Sequence, residues 1–299
     1  MRRLILAAVV FTLSVAQADA DDSCRPQTAA CEAPPPADAG APETSLAAGP
    51  AEAIWNRPDA WKSFPPTLSP ITSWRAPGTA PLADADAASR VRAQAENRPA
   101  NFDENQYRPT AAELAAFRTG RVDRYGRTML DFNPLTAHVT GGFSGTTDEI
   151  LQWAAHKWGI PEDVVRAAAV TESNWNMSQL GDRRTVGDPS IYPSFSRVAG
   201  TSEVYESLGI LQVKWNPDTH WGTEPLRWRS TAFNVDYWAA TVRYYYDGRC
   251  DWCSPGYSAG QDWASVGAWF NPSPWNSSTG YLDALRGQLA NRRWAQGGF

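Results

Sequence analysis

The chain has 299 residues, 15 of them Trp, and a formal net charge of −5. That length holds one sizeable domain or two small ones with a real core. The mild acidity argues against a nucleic-acid partner, which usually demands a basic face, and against strong attraction to any polyanion.

At the N-terminus, Arg2 and Arg3 precede the apolar run Leu4 to Val15, which is too short to span a bilayer comfortably. Ala18-Asp19-Ala20 then supplies a small-x-small cleavage pattern. Residues 1–20 therefore read as a secretory signal. The mature chain is expected to start near Asp21, to be exported to the periplasm or beyond the cell, and to keep no stable membrane anchor. Residues 21–100 are rich in Pro and Ala and read as a largely disordered spacer. Trp55, Trp61 and Trp74 interrupt it and offer points at which it could dock on the folded body. Four cysteines in an exported chain suggest disulfides, paired locally as Cys24 with Cys31 and Cys250 with Cys253. The Cys250-Asp251-Trp252-Cys253 motif lacks the strand-to-helix setting of a redox centre, and no second ligand pair follows it for zinc.

The folded domain is expected over 101–299, with its core over 146–292. Thr110 and Glu113 frame a capping box for a short helix over 111–117. The stretch 118–142 is dense in turn residues, and the sequence does not place it. Thr146 with Glu149 caps the next helix, whose apolar face carries Ile150, Leu151, Ala154, Ala155 and Trp158, and which Gly159 ends. Pro161 opens a second helix at its first position, with Glu162 and Asp163 suiting the dipole. On that helix Val165, Ala168, Ala169 and Glu172 share a face by i, i+3, i+4, i+7 spacing. Further helices are predicted over 231–246, 262–270 and 280–290, the last with Tyr281, Leu282, Leu285 and Leu289 facing inward. The expected fold class is mainly α, one helical domain with a cleft.

Glu172 carries the chemistry in this reading. A carboxyl held among Val165, Ala168 and Ala169 is costly to ionise, so its pKa should rise, as a general acid requires. Periodicity alone leaves a second reading open: a solvated Glu at a helix end, paired with Arg166 or Arg183. His138, His156 and His220 show no ligand spacing, and no metal or cofactor is expected. No Gly-x-Ser-x-Gly elbow is present.

Ala169-Val170-Thr171-Glu172-Ser173-Asn174 resembles the Glu-Ser signature of soluble lytic transglycosylases, a family with the goose-type lysozyme fold. Ser207-Leu208-Gly209-Ile210-Leu211-Gln212 is similar to that family's Gly-Leu-Met-Gln segment. Ala232-Phe233-Asn234-Val235 resembles its Asn-Ile, and Ala268-Trp269-Phe270-Asn271-Pro272 its Ala-Tyr-Asn-Ala-Gly block. The blocks occur in the family's order over 146–292.

The resemblance implies an α+β lysozyme-like domain and a peptidoglycan glycan strand as substrate. Glu172 would be the single catalytic acid and base, closing a 1,6-anhydro ring on N-acetylmuramic acid. Ser173 would bond substrate or Glu172, and Gln212 an N-acetyl group. Trp269, Phe270 and Asn271 would line the cleft. Phe270 replaces the family's Tyr and lacks its hydroxyl. The 33 residues between Ser173 and Ser207 form a longer insertion than the resemblance suggests. A water-using hydrolase would want a second carboxylate. Asp182, Asp188 and Glu206 in the insertion are the candidates, with Asp182 and Asp188 expected on a solvated loop. A third alternative is a catalytically weak wall-binding module.

Trp153, Trp158 and Trp238 lie on helices and read as core. Trp215, Trp221 and Trp275 lie in loops after the motif blocks, where an indole face could stack on a sugar. The protein is expected to act as a monomer.

Overall fold

A computed structural model describes residues 70–299, except 218, 254–256 and 273–278. The predicted signal, the Cys24–Cys31 pair and Trp275 lie outside the described residues. Those described form a mainly helical, mixed fold. Helices α1 (Asp84–Ala88), α2 (Phe102–Gln106), α3 (Ala111–Thr119), α4 (Met129–Phe132), α5 (Thr147–Trp158) and α6 (Glu162–Ser173) come first. Strands β1 (Leu180–Thr185), β2 (Glu203–Leu208) and β3 (Val213–Lys214) follow, then α7 (Leu226–Arg229), α8 (Thr231–Tyr246), α9 (Asp262–Phe270) and α10 (Thr279–Asn291).

The core is built around α8. All 16 of its residues are buried, which marks a helix enclosed on every side. It packs against α5 and α9, and α6 packs against α10. The capping boxes at Thr110–Glu113 and Thr146–Glu149 form as read from the sequence. Gly159 closes α5 at φ 67°, a left-handed position suited to glycine. Pro161 sits one residue before α6 rather than at its first position.

Residues 70–100, expected to belong to the spacer, are instead packed on the folded body. Ile71, Trp74, Leu82, Ala88 and Val91 pack against the main core, and Trp74 stacks on Tyr246 with ring centroids 4.6 Å apart. The backbone there is anchored at intervals: Arg75 N–H donates to the Gly159 carbonyl, Leu82 N–H to the Lys157 carbonyl, and Arg92 N–H to Gln152 Oε1. An extended, Pro-containing strap with an apolar residue every few positions can bury surface on a body that is already folded. Composition alone does not reveal this.

The insertion is a folded element rather than a loop. β1 pairs antiparallel with β2, with Leu180 opposite Leu208 and Thr185 opposite Glu203, and β2 pairs with β3. Between β1 and β2, Tyr192 turns inward, and with Val204 and Trp215 it forms a small core of its own. The segment 118–142 folds as α4 and a 3-10 turn over Pro134–His138, against α8.

Cys250 and Cys253 are joined by a disulfide with a Cα separation of 5.5 Å. Among the described residues, no helix is long and apolar enough to cross a membrane.

Candidate active site

Helix α6 ends one residue past Glu172, the candidate acid. Asn174 and Trp175 both adopt positive φ, and their N–H groups return to the carbonyls of Val170 and Ala169. This left-handed stop satisfies the last carbonyls of the helix. It leaves Glu172 on the final turn, half-buried and facing a cleft of about 960 Å³.

Glu172 is held from α10 and α9. The Tyr281 hydroxyl donates to Glu172 Oε1 at 2.8 Å, and the Trp269 side chain lies near enough to the carboxyl to favour its charged form. Burial pushes the Glu172 pKa up to about 8, and the negative charge of Asp182 pushes in the same direction, while the Tyr281 bond and the Trp269 side chain oppose the rise. Burial wins, so the group keeps its proton at neutral pH.

Asp182 lines the same cleft, from β1. It is exposed, as expected, but it stands on a strand rather than in a loop. Burial would raise its pKa, but a 2.7 Å hydrogen bond from the Ser207 hydroxyl and an ion pair with Lys214 at 3.1 Å outweigh it and hold it below the usual carboxylate range. Of these two cleft carboxyl groups, Glu172 is therefore neutral and Asp182 ionised. Asp188 lies on the surface and bonds Ser190. Glu206 is buried and accepts from Tyr192 and Arg184.

The segment after β2 enters the cleft through a tight turn. Gly209 has φ 86°, and a Cβ there would lie 2.4 Å from Asn234 Nδ2 and 2.9 Å from the Arg227 carbonyl. Asn234, fully buried in α8, holds this turn by accepting from Leu211 N–H and donating to the Leu208 and Arg227 carbonyls. Gln212 then lines the cleft, its amide donating to the Gln179 and Gly209 carbonyls.

The remaining expected site residues divide. Trp269 and Phe270 line the cleft, and Phe270 is 63% exposed and stacks on Tyr281 at 5.1 Å. Ser173 faces away from it. Its hydroxyl donates to the Ile210 carbonyl at 2.8 Å and accepts from Asn176 N–H, tying the end of α6 to the turn after β2. Asn271 ends α9 outside the lining residues. Trp215 is 2% exposed, with its indole N–H on the Trp221 carbonyl. It fills the small core beside β2 and has no face for a sugar. Trp221 touches the cleft wall but is 4% exposed and packed in the main core, so it too leaves no open face for a sugar.

Two cleft residues, His220 and Lys214, and one residue behind the cleft wall, Tyr281, escaped the sequence reading as site residues. Tyr281 read as a core position. Its hydroxyl supplies the contact to Glu172 that Phe270 has no hydroxyl to make. His220 read as ordinary, yet its ring lies 5.6 Å from that of Trp269 and bonds the Tyr237 hydroxyl. Burial, then the charges of Arg227 and Lys214, push its pKa down to about 4, so it enters the cleft neutral. Lys214 carried no motif. The only sequence signal for it is its place two residues after Gln212.

The opposing influences on Glu172 can be separated by measurement. Tyr281→Phe removes a bond that favours the carboxylate, so the alkaline limb of the pH–rate profile should move up. Asp182→Asn removes a repelling charge, so that limb should move down. Losing the Tyr281 bond should also cost about 1–2 kcal/mol of positioning, roughly 5- to 30-fold in kcat. Unshifted limbs in both variants would mean that neither group acts on Glu172.

No family model, no curated protein and no solved structure matches the chain.

Proposed function

We propose that the protein is a lytic transglycosylase that cuts peptidoglycan glycan strands on a lysozyme-like scaffold. The observation that carries this reading is a carboxyl group that holds its proton up to a pKa of about 8, faces a large cleft and is fixed by Tyr281. Glu172 protonates the glycosidic oxygen between N-acetylmuramic acid and N-acetylglucosamine, and an oxocarbenium-like state develops. The ionised Asp182 in the same cleft favours that positive charge. Glu172, now a carboxylate, accepts the proton of the muramic C6 hydroxyl as that oxygen closes the 1,6-anhydro ring. Gln212 and Trp269 offer an amide and an indole face to the sugars. The order of the sequence blocks around Glu172, Gln212, Asn234 and Trp269 supports the family resemblance. The disulfide and the signal-like N-terminus support export to the periplasm or cell wall.

A second reading has one observation in its favour. Asp182 is held ionised in the cleft, where a carboxylate could direct a water at the anomeric carbon. Mass spectrometry of muropeptides released from purified sacculi separates the two. The expected products carry 1,6-anhydro-muramic ends. Reducing muramic ends would establish the hydrolase instead. Binding to sacculi without release of fragments would remove the enzymatic assignment.

A further inference from the structure

The cleft extends over residues that the chemistry at Glu172 does not use. Its lining includes Arg127, Phe132, Trp221, Tyr245, Asp251 and Trp252. Trp252 is the unusual member of this set. It sits inside the Cys250–Cys253 disulfide, a ring closed over a sequence separation of three. It is 42% exposed, a large apolar surface left open. Exposed rings are commonly mobile, but this one is braced. Phe132 lies along it with centroids 6.1 Å apart and 27° between planes, and Tyr245 meets it edge-on at 6.4 Å.

The loop itself is anchored to the end of α8. Cys250 is 3% exposed, and its N–H donates to the Tyr257 hydroxyl, which in turn donates to the Tyr245 carbonyl. A short disulfide ring with a buried end gives the tryptophan few alternative positions, so little ordering cost remains when a ligand stacks on it. The polar neighbours fit a hydroxylated ligand. Asp251 is exposed and can accept, and the half-exposed Arg127 guanidinium, 5.3 Å over the Phe132 ring, can donate. A fixed indole face flanked by one acceptor and one donor matches a pyranose ring, with its apolar face and equatorial hydroxyls.

We propose that Trp252, carried on the Cys250–Cys253 loop, is a stacking platform for a pyranose ring of the glycan strand, at a position other than the one cut at Glu172. The inference rests on the glycan-cleaving reading. It makes the disulfide a device for holding a binding residue rather than a redox centre. It also makes strand length a determinant of affinity, because only a strand long enough to reach the loop gains the contact.

The test uses the full chain with Glu172→Gln, which is expected to bind glycan without cutting it. Isothermal titration calorimetry is run with peptidoglycan-derived oligosaccharides of increasing length, with and without Trp252→Ala. The expected result is an affinity that rises with length in the parent. In the Trp252→Ala variant the longer strands should lose about tenfold while the shortest strand that binds is unchanged. Trp252→Phe should retain most of the affinity, and melting curves that overlay the parent's would show that the loop stays folded. In the cutting enzyme, Trp252→Ala should raise KM on long strands about tenfold and leave kcat within about twofold. Glycan binding that ignores Trp252 at every length overturns the platform and leaves the proposed function standing. No glycan binding at any length overturns both.

Discussion

Glu172→Gln should abolish release of muropeptides, with a loss of at least about a thousandfold in kcat, while leaving glycan binding in place. General acid catalysis contributes on the order of 10² to 10⁴ in rate, and in the proposed mechanism the same group must also take up a proton later. An amide reproduces the shape of the acid and can still accept from Tyr281, but it cannot deliver a proton. The stability of the variant carries a second signature. A carboxyl raised from its ordinary 4.5 to about 8 on folding binds its proton more tightly in the native state than in the unfolded chain. Between those two values the native state holds more protons, so stability falls as pH rises through the window and levels off above it. The wild type should therefore be destabilised at pH 8–9 relative to pH 4–5 by up to a few kcal/mol from this group, at about 1.4 kcal/mol for each tenfold in proton affinity. Glu172→Gln removes that loss. Its melting temperature should exceed the wild type's at pH 8 and approach it at pH 4.5. The pH–rate profile of the wild type should decline above pH 8 for the same reason. Equal melting temperatures at both pH values, together with retained activity, would show that Glu172 is an ordinary surface carboxylate.

Much of the scaffold was legible because its signals are local. The capping boxes at Thr110 and Thr146, the stop at Gly159 and the apolar spacing in α6 and α10 each act within a few residues. The bounds of α8 and α9 follow from the same kind of pattern. Glu172 was legible for the same reason, since its helix face could be counted. What was not legible depends on contacts across the chain. Tyr281 and Glu172 are 109 positions apart, and no spacing in the sequence announces that one hydroxyl will reach the other carboxyl. Asp182 stands among Gly181, Arg183 and Arg184, which reads as a loop. Only pairing with β2 turns the segment into a strand, and Ser207 and Lys214 on β2 and β3 then hold the carboxylate in the cleft. Trp215 misled for a related reason. Its loop position suggested exposure, but the insertion supplies Tyr192 to cover it, edge to face at 5.2 Å. The strap over 70–100 gains its order from α5 and α8, elements that lie far beyond it in sequence.

Asp236→Ala is expected to be the most damaging single change to the fold, at about 3–5 kcal/mol. Asp236 is fully buried in α8. Its carboxylate accepts from Lys157 Nζ at 2.8 Å, the Trp158 indole at 2.6 Å, and the backbone N–H groups of Thr140 and Gly141 at 2.8 and 3.0 Å. With the Thr140 hydroxyl at 3.5 Å, five donors converge on one residue, from the end of α5 and from the segment after the Pro134–His138 turn. Removing the acceptor leaves an almost fully buried ammonium and several buried donors with fewer partners, and unpaired buried groups cost far more than the bonds themselves contribute. Lys157 retains an ion pair with Asp84 at 2.8 Å, which places the loss below that of an isolated buried charge. The charge matters as well as the shape, so Asp236→Asn should recover only part of the stability. The damage should reach the cleft, because Asn234, two residues earlier on the same helix, holds the turn that delivers Gln212. Urea titrations should show a lower midpoint with an unchanged slope if the native fold survives in weakened form. An Asp236→Ala protein as stable as the wild type would mean that the α5–α8 packing, rather than this buried carboxylate, holds the two helices in register.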